Sequence, residues 1–543
     1  MSRRLIEKAD SLLAREKGTV FKEPGGRINV CLVYPNTYHV GMSNLGFQGV
    51  YTLLNERADV VCERAFLPDP EDLEEFERTG TELFSLESKR PLGRFDMVAF
   101  SISFENDYPN IIRILRLANI PLEASARGAH HPMLMIGGVC AFSNPEPLAP
   151  FFDLCFVGEA EEMLHEFLEA YKAADFREGA LKNAMAVEGV YIPSLYEVRY
   201  NPGGTISERI PLSGAPAAVS RRYVRDLSEH AFRPSITTPE TEFSGMYLIE
   251  AVRGCPWNCS FCLAGHIYSP VRKKPLEAVQ GEIREALGRT ERVGLIGPSL
   301  TDYPYAEEVL RTEGVDFSIT SLRASPRSAA LVGLMHGQKS VSIAPEAGTE
   351  RLRKVINKRI TEEDIVETSR LIFNRGIERL RLYFMVGLPT ETEEDIQGIV
   401  KLVRKIRETS RRGSIVITLS TFVPKPFTPF QWHPMEGLQT VKGRMRQVKK
   451  ALLPIKGIRV FHDIPKYAYM QGMLSMGDRR VSAALKAISG AEDWKKASLR
   501  AGVDPDFYVY RRKNISEVLP WDFIDSGIEK KKLWEEYRRS LSG

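Results

Sequence analysis

The stretch RGCPWNCSFCLAGH, residues 253–266, decides the reading of this chain. It follows directly on MYLIEAV (246–252), a short apolar run of the kind that forms a buried strand, and it sets Cys255, Cys259 and Cys262 within eight residues of one another. Thiolates spaced C-x3-C-x2-C can converge on one metal centre, since Gly254 and Pro256 shape a turn that lets the sulfurs point inward. Three readings stand side by side. A tetrahedral zinc site needs a fourth ligand, which His266, four residues after Cys262, would supply. A four-iron cluster held by three cysteines leaves one iron open to a small molecule, the arrangement of a catalytic centre. The third reading is a chance grouping.

Working outward, residues 241–435 alternate strand-like and helix-like runs: MYLIEAV, EAVQGEIREAL, VGLIG, FSITSLRAS, SVSIAPEAG, a helix after Thr361, RLRLYFMVG, a helix after Glu391, and IVITLSTFVP. Six strand-helix units make a partial parallel barrel, whose active site lies at the C-terminal strand ends. The cysteine loop occupies such an end. Upstream, residues 1–185 open on an amphipathic lead and then alternate INVCLVYP, SNLGFQGVYTLLNE, ADVVCERAF, DMVAFSISF, NDYPNIIRILRLAN, PMLMIGG and DLCFVGEAEEMLHEFLEAY, which predicts a doubly wound, Rossmann-like α/β domain. Ligands of such sheets sit at the carboxyl ends of the strands, here occupied by NTYHVG (36–41), Ser101 and Ser103, Gly137 and Gly138, and Gly158 with Glu159. Small residues there are expected to admit a large flat ligand to the backbone. Residues 186–240 read as a β-rich linker with a turn at Pro202-Gly203-Gly204, and residues 436–543 as a mixed, mainly helical C-terminal region.

Composition bounds the function. The chain has 543 residues, 43% hydrophobic and 27% charged, and no apolar run approaches the roughly 18 residues of a membrane span. Its N-terminus has basic residues without an apolar segment behind them, so a cytoplasmic, soluble, multidomain protein is expected. An odd number of cysteines, seven, argues against a disulfide framework, and Cys31, Cys62, Cys140 and Cys155, scattered singly, read as core residues. Net charge is +4, but residues 436–543 hold 22 Lys and Arg against 13 Asp and Glu. That excess suits either a solvated helical surface or a polyanion partner such as RNA.

CPWNCSFC, with Phe261 just before the third cysteine, resembles the cluster-binding signature of radical S-adenosylmethionine enzymes, and IAPEAGTERLRKVINK and YFMVGLPTETEEDI strengthen the resemblance over residues 241–435. The domain in front is similar to the cobalamin-binding domain of one large subgroup. PKPFTPFQW, GDRR and LPWDFIDSG in the tail place the chain beside an incompletely characterised branch of it. The resemblance implies that Cys255, Cys259 and Cys262 hold a 4Fe-4S cluster whose open iron is chelated by S-adenosylmethionine, cleaved to a 5'-deoxyadenosyl radical with an electron from a donor such as flavodoxin or ferredoxin. It implies further contacts from Phe261, from Gly297 and Ser299 in a GPS turn where the family has a GGE-like one, from Glu346 to the ribose and from Gly387 beside adenine. A plainer role for Glu346, as a carboxylate favouring the N-terminus of the helix that follows, stays open. For cobalamin the resemblance points to Asn36, His39, Ser101, Ser103, Gly137 and Gly138, although NTYHVG lacks the Asp of the usual D-x-H-x-x-G signature and shifts the His by one place. A rival resemblance, to methylthiotransferases, would use the four scattered cysteines for a second cluster, but the Gly-Gly and GEAEE features suit the cobalamin-type domain better.

Three functions follow. The first is cobalamin-assisted radical chemistry, of which methyl transfer to an unactivated carbon is one form, which would make the protein a transferase. The second is a cobalamin-independent radical oxidoreductase or RNA-modifying enzyme. The third is an RNA-binding module with a structural metal. Tyr383, Trp432, His433 and Trp521 could line a cavity but equally serve packing.

Overall fold

The computed structural model describes residues 2–229, 232–319, 321–335, 337–488 and 493–542. The near-continuous apolar runs of the first domain form strands β1 (Ile28–Tyr34), β2 (Val60–Phe66), β3 (Met97–Ser101), β4 (Met133–Gly137), β5 (Leu154–Phe156) and β6 (Val190–Tyr191), hydrogen-bonded in the order β2-β1-β3-β4-β5-β6. The first five are parallel and β6 returns antiparallel to β5. Their faces are covered by helices, as the parallel strands require: Leu45–Glu56 and Ala160–Lys172 on one side, Tyr108–Leu117 on the other. The chain winds in opposite directions on either side of the β1/β3 boundary, which opens a crevice at the carboxyl ends of those strands.

The linker forms the hairpin β7 (Tyr196–Tyr200) and β8 (Ile206–Pro211) around the Pro-Gly-Gly turn, followed by β9 (Val219–Ser220). The second domain begins with β10 (Tyr247–Glu250), β11 (Val252–Arg253), β12 (Arg272–Lys273), β13 (Arg292–Ile296), β14 (Asp316–Ser318), β15 (Ser321–Leu322) and β16 (Ser340–Glu346). It continues through β17 (Arg379–Val386), β18 (Ser414–Thr421) and β19 (Ile458–His462). Strands β10, β13 and β14 make one parallel arc and β15 to β19 a second, all in sequence order. Apolar residues alternate toward an outer layer of helices, among them Glu362–Asn374 and Glu393–Thr409, whose first turns are closed by capping boxes at Thr361 with Asp364 and Thr392 with Asp395. This is the partial barrel expected from the sequence, with a difference at its end. The sheet runs past residue 435 into β19, so the helix Leu438–Leu452 and the strand after it complete the barrel rather than begin the C-terminal region.

The remaining C-terminal helices do not form a separate tail. Met473, Leu474, Val481 and Leu485 share one core with Ile111, Leu115 and Phe142 of the first domain. Polar groups tie the same junction: Asn144 donates to the carbonyls of Ser475 (3.0 Å) and Gly477 (2.8 Å), and buried Glu146 accepts from Tyr191, Arg209 and Arg479. β20 (Ile524–Asp525) pairs with β9. Among the described residues, no helix is long and apolar enough to cross a membrane.

Candidate active site

The cysteine loop is built by its two ends. β11 and β12 pair antiparallel and pinch residues 254–271 into a closed loop at the carboxyl end of the first barrel strand. Gly254 has φ +85°, and a Cβ there would lie 2.6 Å from the Tyr268 carbonyl oxygen, so no other residue fits. The loop is anchored to the first domain through charge. Glu159 accepts from Arg253 Nη1 (2.7 Å), from both Arg272 Nη atoms (2.7 Å each) and from the Val224 backbone N–H (2.9 Å), while Arg253 also meets Glu161 and Glu250. Burial pushes the Glu159 carboxyl up, but the hydrogen bonds of Arg272 and the charges of Arg253 and Arg272 prevail and hold it below its usual range. Arg221 adds bonds to the carbonyls of Ile267 and Ser269. On the opposite side the Ser260 carbonyl accepts from the Phe430 N–H, and its hydroxyl meets Ser540 of the last helix at 3.4 Å.

Within the loop Cys259 is buried and Cys255 and Cys262 half-buried. Burial drives the Cys259 thiol up to about 11 and Cys262 in the same direction; the charges of Lys358 and Arg323 oppose this at Cys259, and Cys262 feels Cys255 as Cys259 feels Cys262. Lys358 and Arg323 thus flank Cys259, and Lys358 also acts on Cys262. Arg323 stacks 3.6 Å over the Trp257 ring, whose Nε1 donates to Asp302 (2.7 Å). A three-thiolate, cation-flanked donor set fits an anionic iron-sulfur cluster. For the zinc alternative, His266 meets the Cys262 carbonyl through Nδ1 (2.8 Å) and keeps its buried Nε2 without a hydrogen-bond partner; among the described residues no three His, Cys, Asp or Glu side chains, the three cysteines included, stand gathered as a metal site. Nor do the other cysteines assemble a second centre. Cys31, Cys140 and Cys155 are in one core, Cys62 in the core on the other side of the sheet, all buried.

The other residues singled out in the sequence distribute as follows. Glu346 stands at a β-bulge with φ +66° and pairs with Lys358 at 3.1 Å, beside the cysteines. Phe261 is half-buried against the core. Gly297 and Pro298 line a cavity, but Ser299 turns its hydroxyl to Asp302 and away from it. Gly387, with φ +87°, donates its N–H to both Glu391 oxygens (3.0 Å each), and the space a side chain would take is filled by Glu436 and Val441, so its glycine does not make room for a ligand. Trp432 and Trp521 are buried in packing, His433 pairs with Tyr537 (3.0 Å), and Tyr383 is exposed on the barrel.

The cavity, about 460 Å³, lies between the carboxyl strand ends of the two domains. Ser101, Ser103, Gly138 and Glu159 line it from one side, Glu250, Gly254 and Gly297 from the other. A narrower apolar slot of about 60 Å³, lined by Leu32, Met97, Met135, Gly137 and Phe167, continues into the first domain, with Ser101, Gly138 and Gly158 lining both spaces. Two residues that the sequence offered for cobalamin lie outside the cavity lining. His39 lies outside the cavity, its side chain 54% exposed and 3.9 Å from Glu242, because the short helix Tyr38–Met42 turns Gly41 and Met42 inward instead. Asn36 donates to Asp107 (2.8 Å) and does not line the cavity either. Asn44 takes its place: it caps the helix Leu45–Glu56 through Oδ1, donates to Ser103 Oγ (3.1 Å) and lines the cavity. The SNL start of a helix was its signal in the sequence. Glycines 138 and 158 also prove to be backbone requirements, since Cβ atoms there would meet Ile102 O at 2.5 Å and Arg222 O at 2.1 Å.

Comparison with known proteins matches residues 46–193 to the family model of radical SAM proteins, N-terminal, and residues 249–403 to that of the radical SAM superfamily. An uncharacterised protein of Methanocaldococcus jannaschii is 30% identical over 462 residues, covering 84% of this chain and 90% of the relative. A tRNA-2-methylthio-N(6)-dimethylallyladenosine synthase of Bdellovibrio bacteriovorus is 23% identical over 39% of this chain and 49% of its own length. Among solved structures, the cobalamin-dependent S-adenosylmethionine radical enzyme OxsB, with aqua-cobalamin and S-adenosylmethionine bound, is 16% identical with a TM-score of 0.47, over 69% of this chain and 52% of that one. Taken with the cysteine loop at the mouth of a partial parallel barrel, the two family models and the long archaeal match mean that the chain belongs to the radical SAM superfamily.

Proposed function

We propose that this radical SAM enzyme holds its cluster on Cys255, Cys259 and Cys262 and accommodates cobalamin in the cavity between its two domains, for methyl transfer to an unactivated carbon. The observation that carries the reading is the cavity itself. It joins the strand ends beside the cysteine loop to the crevice at the β1/β3 boundary, and its small apolar slot continues between the sheet and the helices Leu45–Glu56 and Ala160–Lys172.

When bound, the cluster with S-adenosylmethionine supplies one-electron cleavage and hydrogen abstraction, and cobalamin supplies a methyl carrier. The chain's own residues bind, orient and shield. Lys358 and Arg323 offset negative charge at the thiolates, and Lys358 in turn fixes Glu346 at the barrel mouth, where a carboxylate can accept from ribose hydroxyls. Glu159, Arg253 and Arg272 hold the loop against the first domain, so that both halves of the cavity keep one geometry. Ser101, Ser103 and Asn44 present hydroxyl and amide groups to the cavity. His39, turned to solvent, would not be among the residues that hold a corrin in this cavity. An external one-electron donor completes the system.

The test is an anaerobic cobalamin titration of cluster-reconstituted protein, followed by desalting and an ultraviolet-visible spectrum. Retention of about one corrin per chain is expected, and with a substrate one 5'-deoxyadenosine and one S-adenosylhomocysteine per turnover. An intact iron-sulfur band with no retained corrin would favour the second reading, a cobalamin-independent radical enzyme, which the departure of the NTYHVG segment from the usual signature supports.

A further inference from the structure

The inner face of the barrel carries a cationic and aromatic surface that continues beyond the cavity between the domains, the two sharing Ser321. Along β17, Leu380, Leu382, Phe384 and Val386 are buried against the helix layer, which turns Arg379, Arg381 and Tyr383 to the concave side. β19 repeats the pattern: Ile458 and Val460 pack outward, Arg459 and Phe461 face in. The register aligns these residues in rows. Ser321, Ser342, Arg381, Val416 and Arg459 stand side by side across five strands. Two residues further along, Tyr383, Thr418 and Phe461 form the next row, about 7 Å higher at the usual strand rise. Both rings are open to solvent, 36% exposed at Tyr383 and 55% at Phe461. Among the described residues none of the guanidinium groups of Arg379, Arg381 and Arg459 has a carboxylate or hydrogen-bond partner, whereas the buried Arg209, Arg253 and Arg272 are each paired with a carboxylate. Exposed Lys339, Arg411, Arg412 and Lys456 continue the charge over the N-terminal rim of β16, β18 and β19, with Asp316 and Glu378 as acidic neighbours on that rim.

We propose that this concave surface binds single-stranded RNA, with phosphates on Arg379, Arg381 and Arg459 and bases stacked on Tyr383 and Phe461. Unpaired arginines over hydroxyls recognise phosphate, and exposed rings one row above supply sequence-tolerant stacking. The cations extend from inside the barrel over its rim, farther than a single nucleotide reaches, which selects a polymer over a mononucleotide. Of the basic residues 436–543 that the sequence offers as the polyanion site, this surface uses Lys456 and Arg459, at β19, and not the helices that follow. The inference rests on the radical-enzyme reading only in that it names that enzyme's substrate class.

The test is fluorescence anisotropy of a labelled single-stranded RNA of about a dozen nucleotides with cluster-reconstituted protein, at several salt concentrations. The variant R379Q/R381Q/R459Q is expected to lower affinity and to flatten the slope of log affinity against log salt by about 2, at roughly 0.7 per phosphate on a single strand. Its iron content and melting temperature check the fold. Y383A/F461A should weaken binding with the slope unchanged, and K531Q/K532Q in the tail should bind like wild type. Wild-type binding insensitive to salt, wild-type affinity in the triple arginine variant, or loss of binding only in the tail variant would overturn the proposal. So would adenosine monophosphate competing at the affinity of the oligonucleotide. Absence of S-adenosylmethionine cleavage with arginine-dependent RNA binding intact would count against the enzyme reading alone.

Discussion

Replacing Glu159 by Gln should loosen the joint between the domains and, with it, the cysteine loop. Its carboxylate meets Arg272 twice and Arg253 once at 2.7 Å, with all three side chains buried. Arg253 keeps Glu161 and Glu250, but Glu159 is the only carboxylate paired with Arg272 among the described residues. A glutamine amide at this position could accept from one arginine while turning an N–H toward another, leaving a buried guanidinium uncompensated. Breaking a buried pair in this way costs about 3–5 kcal/mol. For a domain of this size each kcal/mol lowers Tm by roughly 2–4 °C, so a 3 kcal/mol loss predicts a fall of about 6–12 °C. The iron retained after anaerobic reconstitution should fall in parallel, because Arg253 and Arg272 lie in the strands that close the loop. Differential scanning calorimetry and iron analysis measure both. The pairing also sets a pH dependence: a carboxyl held below its usual range stabilises fully above about pH 4.5 and loses that contribution as the pH falls through the lower folded value. The double variant E159Q/R272M should recover part of the loss, since removing both members of a pair is cheaper than removing one. Unchanged Tm and iron content in E159Q would refute the reasoning.

Lys513 is buried with its ammonium on the Tyr508 carbonyl (3.0 Å), and burial pushes it down to about 7. The folded state thus pays for a charge that the unfolded chain carries freely up to its ordinary value of 10.5, a cost of at most about 5 kcal/mol, present in full below pH 7 and relieved as the pH rises toward 10.5. K513M should melt higher than wild type at pH 7, with the difference shrinking toward pH 10; a constant or inverted difference would contradict this. Gly254→Ala should fold but retain little iron, because its Cβ would overlap the Tyr268 carbonyl at 2.6 Å and displace Cys255. Iron analysis equal to wild type would count against that geometry.

Much of this architecture is legible in the chain, for identifiable reasons. Runs such as INVCLVY and MLMIG are short, apolar and bounded by turn residues, so strands buried on both faces announce themselves. The spacing of Cys255, Cys259 and Cys262 is local and needs no tertiary information. β19 is harder to see, since IRVFH has only two buried residues and follows a helix dense in Lys and Arg. The role of Glu159 is invisible in GEAEE because its partners lie 94 and 113 residues away. His39 misleads for a similar reason: which face of the short helix Tyr38–Met42 turns inward is set by Gly41 packing on Phe66, a contact across the sheet. Glycines 138 and 158 show a further limit, as a residue without Cβ can signal either room for a ligand or a tight backbone approach, and only coordinates separate the two.

The central claim is that Cys255, Cys259 and Cys262 together make this chain a radical S-adenosylmethionine enzyme. The most direct measurement is anaerobic reconstitution of wild type and of C255A/C259A/C262A, followed by iron analysis and quantification of 5'-deoxyadenosine after adding a strong reductant and S-adenosylmethionine. Wild type should hold about four irons per chain and form 5'-deoxyadenosine, and the triple variant should hold almost none and form none. Equal iron and equal 5'-deoxyadenosine in the two proteins would contradict the account.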